Sequence, residues 1–99
     1  MITVKVSSDK ISLLGHANYD DFGKDIVCAA VSSIVITSVE GISLFDQEAL
    51  NVTSNEEKTV IDIIKHSPVI DKLIINMLNC LQEIEYKYPK NIKIINREE

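Results

Sequence analysis

His16 and Cys28 are the residues whose types and spacing could do covalent chemistry together. They are one of two histidines and one of two cysteines in the chain. A glycine-flanked segment separates them, with Gly15 before the histidine and Gly23 ahead of an apolar run. A histidine closing a strand and a cysteine in the first turn of the next helix would bring an imidazole to a thiol. The thiolate is the nucleophile, and a free thiol with a pKa near ~8.5 is mostly protonated at neutral pH. The positive end of a helix dipole and a neighbouring imidazolium each favour the thiolate. Cys28 is expected to have the first, and also the second if His16 folds over it. Free backbone N–H groups around Cys28 and Ala29 would then face a developing oxyanion. Such a pair transfers an acyl group through a thioester, the histidine later protonating the leaving amine.

Other residues here read in more than one way. Asp25 suits a helix N-cap, which puts Cys28 at the third helical position. A carboxylate near the sulfur opposes the thiolate, so Asp25 either caps the helix or steers His16, and Asp20 or Asp21 could orient the imidazole instead. Ser32, one turn beyond Cys28, either bonds the helix backbone or lines the pocket. Tyr19 and Phe22 bracket Asp20 and Asp21, and they either fold onto the core or form part of a binding slot. A lone cysteine on an apolar helix is more commonly a small core hydrophobe, which is the reading for Cys80. His66 reads as a solvated loop residue. A metal site from His16, Cys28 and Asp20 or Asp21 lacks a compact ligand pair and a fourth ligand, so neither metal nor cofactor is expected.

The elements that must position these residues follow from periodicity. Residues 2–7 and 11–16 alternate apolar and polar across a turn-like 7–10 segment, the pattern of a hairpin. On strict alternation His16 shares a face with Ser12 and Leu14, opposite Ile11 and Leu13. Residues 17–24 form a loop. Residues 25–40 are apolar nearly all round, too long for a strand, and Gly41 follows where a helix C′ residue belongs. A helix this apolar needs cover on most sides, from a sheet and from a partner subunit. Residues 48–53 and 57–64 predict a second hairpin. Ser67-Pro68 opens an amphipathic helix that Pro89 ends, 91–96 form a last strand, and the tail 97–99 is expected to fray. The order β-β-α-β-β-α-β predicts an α+β fold, an antiparallel-rich sheet packed by two helices.

Composition narrows the function. Ninety-nine residues make one domain, residues 1–99. A net charge of −5 and pI near 4.9 disfavour direct nucleic-acid binding, which needs a basic footprint to displace counterions. Met1 leads straight into a strand pattern rather than a signal peptide. The longest apolar run reads as short of the ~20 residues that span a bilayer. The two cysteines form no CxxC pair. These features predict a soluble, reduced, cytoplasmic protein with no membrane partner, and its small size favours a homodimer.

The stretch Gly15-His16-Ala17, then Tyr19, Gly23 and Asp25-Ile26-Val27-Cys28-Ala29-Ala30-Val31-Ser32, resembles the ribosomal-processing cysteine protease (Prp) family of small bacterial proteins. The strand and helix order matches over essentially the whole chain. The resemblance implies a homodimeric cysteine endopeptidase that trims the N-terminal extension of a large-subunit ribosomal protein, number twenty-seven, cutting after a short motif with paired phenylalanines. By position, His16 matches the family's catalytic histidine and Cys28 its nucleophile. Gly15, Asp25 and Ser32 match motif positions, and 17–24 corresponds to a mobile segment that would have to order around the substrate. Physically, such a substrate needs an apolar slot, which Tyr19 and Phe22 would help supply, and tolerates an acidic rim from Asp20 and Asp21. A non-catalytic ribosome-associated peptide-binding module is the alternative reading.

Overall fold

The structure, a computed structural model, describes residues 1–21 and 23–96. Along the chain run β1 (Ile2–Val6), β2 (Lys10–Leu14), α1 (Ile26–Phe45), β3 (Leu50–Ser54), β4 (Lys58–Ile63), α2 (Pro68–Lys87) and β5 (Ile92–Asn96). The element order is the expected one. The strands form one sheet in the order β3-β4-β2-β1-β5. All neighbours are antiparallel except β1 and β5, which are parallel with Ile2 opposite Ile92.

Alternation gives the sheet its two faces. Ile2 and Val4, Ile11 and Leu13, Ile61 and Ile63, and Ile92 are buried in one core, with Val4 opposite Leu13 and Ile11 opposite Ile61. Both helices cover that face. α2 contributes Ile70, Ile74, Met77 and Leu81, the three- and four-residue steps of an apolar stripe. Ser67 Oγ accepts the Ile70 N–H at 3.1 Å, with Pro68 at the first helical position. α1 contributes Val27, Val31, Val35 and Ile42. Each fully buried Ile or Leu on these elements contributes roughly 1.5–3 kcal/mol relative to exposure.

Two expectations about α1 are corrected. Gly41 does not end the helix: its φ is not positive, and the helix continues to Phe45, capped by Asp46, whose N–H bonds the Ile42 carbonyl at 2.8 Å. Burial of Ile42 (1% exposed) is the tertiary gain that carries the helix through the glycine. The apolar stretch is therefore longer than expected. By length and composition alone α1 could cross a membrane, although here it packs on the sheet. Within the single chain, Ile36, Leu44 and Phe45 of α1 stay exposed.

Candidate active site

The site forms where β2 gives way to the loop leading into α1. β2 stops at Leu14, two residues before His16, because Gly15 adopts φ +84. A Cβ on Gly15 would lie 2.8 Å from the Met1 carbonyl oxygen, so only glycine lets the two backbones pass. The turn takes His16 off the strand alternation. Rather than lying opposite Leu13, His16 joins Leu13 in lining the cleft.

Asp25 organises the start of α1. It is the N-cap, and its Oδ1 accepts the N–H groups of Val27 and Cys28, both at 3.0 Å. Its Oδ2 accepts the Tyr19 N–H at 2.9 Å and the Asp20 N–H at 3.4 Å. Partial burial opposes the charge, but the bonds from Cys28, Tyr19, Asp20 and Val27 outweigh it and hold the carboxyl below its ordinary value. Of the roles left open for Asp25, the structure shows capping. This corrects the oxyanion expectation. The Val27 and Cys28 N–H groups are spent on Asp25, and that of Ala29 bonds the Asp25 carbonyl at 3.1 Å. The donor that reaches the sulfur comes from outside the helix: the Ala17 N–H points at Cys28 Sγ at 3.3 Å.

The carboxylate facing His16 is one that sequence reasoning missed. Glu57 Oε1 lies 3.5 Å from His16 Nε2, with side chains 76% and 47% exposed. Glu57 sits in the turn between β3 and β4, and its carbonyl accepts the Gly15 N–H at 2.9 Å. Asp20 and Asp21 are placed otherwise: Asp20 Oδ1 accepts the Asp21 N–H at 2.7 Å and Asp20 borders the cleft. The sequence signal for Glu57 is limited to the second hairpin, whose turn meets His16 only because β4 pairs with β2.

His16, Cys28 and Ser32 lie at the junction of two cavities. One, of about 480 Å³, runs between α1 and the β3–β4 hairpin, where the core face of the sheet extends past the helix. Val35, Ile36 and Val39 wall it on one side and Val52 and Thr59 on the other, with Glu40 and Glu56 at its rim. The other, of about 490 Å³, lies under the loop and is lined by Asn18, Asp20, Gly23, Asp25 and Ala29. Ser32 therefore lines the pocket. Tyr19 does not: its ring stands edge-on to Tyr88 at 5.3 Å. The apolar slot comes instead from α1 and the hairpin, a pairing that only the tertiary fold creates. The readings of Phe22 and of the tail 97–99 lie outside the described residues.

A thiol at a helix start and an imidazole lining the same open cleft are the equipment of a small α+β cysteine peptidase. The family described as cysteine protease Prp matches residues 1–93, and the chain belongs to it. A Mycoplasma genitalium protein named ribosomal processing cysteine protease Prp is 30% identical over 99% of this chain and 97% of its own length. A Staphylococcus aureus protein of the same name is 26% identical over 95% of this chain and 97% of its own. A crystal structure described as an essential ribosomal processing protease Prp from S. aureus, with a covalently linked product peptide, superposes with a TM-score of 0.93. It is 26% identical, covering 98% of this chain and all of that one. A second, with a substrate peptide, superposes with a TM-score of 0.86 at 25% identity and the same coverage. The chain is thus a cysteine peptidase of the ribosomal-processing family.

Proposed function

We propose that this protein is an endopeptidase that removes the N-terminal extension of a large-subunit ribosomal protein, number twenty-seven, with Cys28 as nucleophile and His16 as general base and then acid. The observation that carries the reading is that His16 and Cys28 both line the two cavities, where an apolar groove meets the pocket under the loop. A peptide crossing that junction presents its scissile carbonyl to the sulfur. His16 takes the thiol proton as Sγ attacks, then gives it to the leaving amine as the C–N bond breaks. Water attacks the resulting thioester, giving one proton to His16, which returns it to the departing sulfur, and the second product leaves as its carboxylate after losing water's other proton to solvent.

Substrate chemistry supports the same reading. The groove walls offer Val35, Ile36 and Val52 to the apolar residues of the cleavage motif. Asp20, Glu40, Glu56 and Glu57 around the cleft suit the basic flank of a ribosomal protein. We also infer a homodimer in the cytoplasm, supported by the family resemblance, by the exposed Leu44 and Phe45 on α1, and by two free thiols. Sedimentation at micromolar concentration tests the dimer.

The test is cleavage of a peptide spanning the ribosomal-protein extension, followed by mass spectrometry for the wild type and Cys28→Ser. A single cut, absent in the variant, is expected. Binding without cutting, alike in both proteins, would move the function to a peptide-binding module.

A further inference from the structure

Ala17 is held by both of its main-chain polar groups. Its N–H points at Cys28 Sγ at 3.3 Å, and its carbonyl accepts the side-chain amide of Asn91 at 3.0 Å. The amide orientation follows from the partner, because a carbonyl oxygen can only be met by the NH₂ end. Ala17 itself is 1% exposed, so this carbonyl has little water to fall back on. Asn18 follows in the left-handed region at φ 55. Asp25 holds the Tyr19 and Asp20 N–H groups farther along the loop, not Ala17.

Asn91 is well suited to hold Ala17. It lies in the turn between α2 and β5, and its main chain is tied at both ends. Its carbonyl accepts the Ile2 N–H of β1 at 2.8 Å, and its N–H bonds the carbonyl of Tyr88, the α2 C-cap, at 2.9 Å. The side chain therefore projects from a point anchored to the sheet and a helix end. The same turn holds the loop a second time through the edge-on contact of Tyr88 with Tyr19.

We propose that Asn91 is a positioning residue for Cys28: by gripping the Ala17 carbonyl it keeps the Ala17 N–H on the sulfur. A donor on the sulfur favours the thiolate over the thiol. Release of that donor makes the thiolate harder to form without touching Cys28, His16 or the peptide groove. This inference rests on the reading of Cys28 as nucleophile.

The test is the pH profile of iodoacetamide alkylation, measured site by site by mass spectrometry so that Cys28 and Cys80 are separated. A small reagent reads the thiol and not substrate binding. Asn91→Ala and the closer-shaped Asn91→Leu are expected to move the Cys28 midpoint to higher pH and slow its alkylation at neutral pH about fivefold, the worth of one hydrogen bond near 1 kcal/mol. Thermal melting identifies whichever variant is folded. Tyr88→Leu, which loosens the same loop at Tyr19 but leaves Ala17 held, is expected to lower the melting temperature and leave the midpoint in place. If the folded Asn91 variants keep the wild-type profile, or Tyr88→Leu shifts it equally, the positioning role is overturned while the protease reading stands. If wild-type Cys28 reacts no faster than Cys80 and no peptide is cut, the protease reading falls and takes this inference with it.

Discussion

The carboxylate of Asp25 accepts the N–H of Cys28 at 3.0 Å, so the residue that starts the helix also sets the backbone of the candidate nucleophile. Its second oxygen is taken by the Tyr19 and Asp20 N–H groups, and cap and loop share one side chain. Asp25→Ala removes both and is expected to cost about 1–2 kcal/mol, a fall of roughly 4–8 °C in melting temperature per kcal/mol for a domain of this size. Asp25→Asn keeps one acceptor for the cap but turns an NH₂ toward Tyr19, so activity should fall more than stability. The folded carboxyl titrates below its ordinary value near 3.8. Its contribution is therefore present above that value and lost as pH falls through the folded one. The melting-temperature gap between wild type and Asp25→Asn should be constant from pH 5 to 7 and close in stronger acid.

Glu57 and His16 meet at 3.5 Å with both side chains substantially exposed. An exposed pair is worth about 0.2–1 kcal/mol, so Glu57→Gln should lower kcat by no more than about fivefold, with KM for a neutral peptide little changed. The effect should shrink in high salt, where exposed charges are screened. Steady-state kinetics at low and high ionic strength check both points. A loss of a hundredfold or more would give Glu57 a far larger part in the reaction.

Two glycines should respond oppositely to alanine. At Gly15 the positive φ costs roughly 1–2 kcal/mol for any side chain, and the new Cβ would press on the Met1 carbonyl at 2.8 Å, a backbone atom that cannot step aside alone. Gly15→Ala should destabilise the fold and displace His16, lowering peptide cleavage and melting temperature together. Gly41 lies inside α1, and a methyl added there would point into open space, clear of other elements by more than 4 Å. Gly41→Ala should stabilise by about 0.5–1 kcal/mol through helix propensity and leave cleavage unchanged. Paired denaturation curves distinguish the two.

Much of this was legible before the structure, for reasons that particular residues show. The N-cap at Asp25, the Ser67-Pro68 start and the alternating strands are local signals written within a few residues of where they act. What escaped the sequence lies across long separations. Asn91 reaches Ala17, and Glu57 reaches His16, only because β5 joins β1 in parallel and β4 joins β2. The helix ran through Gly41 because burial of Ile42 outweighed a local stop signal. Tyr19 turned from the cleft because Tyr88 offered its ring an edge-on partner.

His66 shows the same long-range effect at the far end of the sheet. Read as a solvated loop residue, it is indeed exposed, yet Nδ1 meets Asp71 and Nε2 meets Asp9, both at 2.8 Å. It thereby ties the β1–β2 turn to the first turn of α2. The bond with Asp71, then that with Asp9, raises the imidazole above its ordinary value of 6.5. Only the doubly protonated ring donates to both carboxylates at once. Because the folded value is raised, the stabilisation is complete below 6.5 and is lost as pH rises through the folded value. With 44% of the histidine side chain exposed, solvent screening limits the effect to about 1 kcal/mol or less. His66→Asn should therefore melt a few degrees below wild type near pH 5.5 and nearly with it at pH 9, as followed by circular dichroism. A gap that widened toward pH 9 would mean that the neutral ring, and not the imidazolium, holds the two turns together.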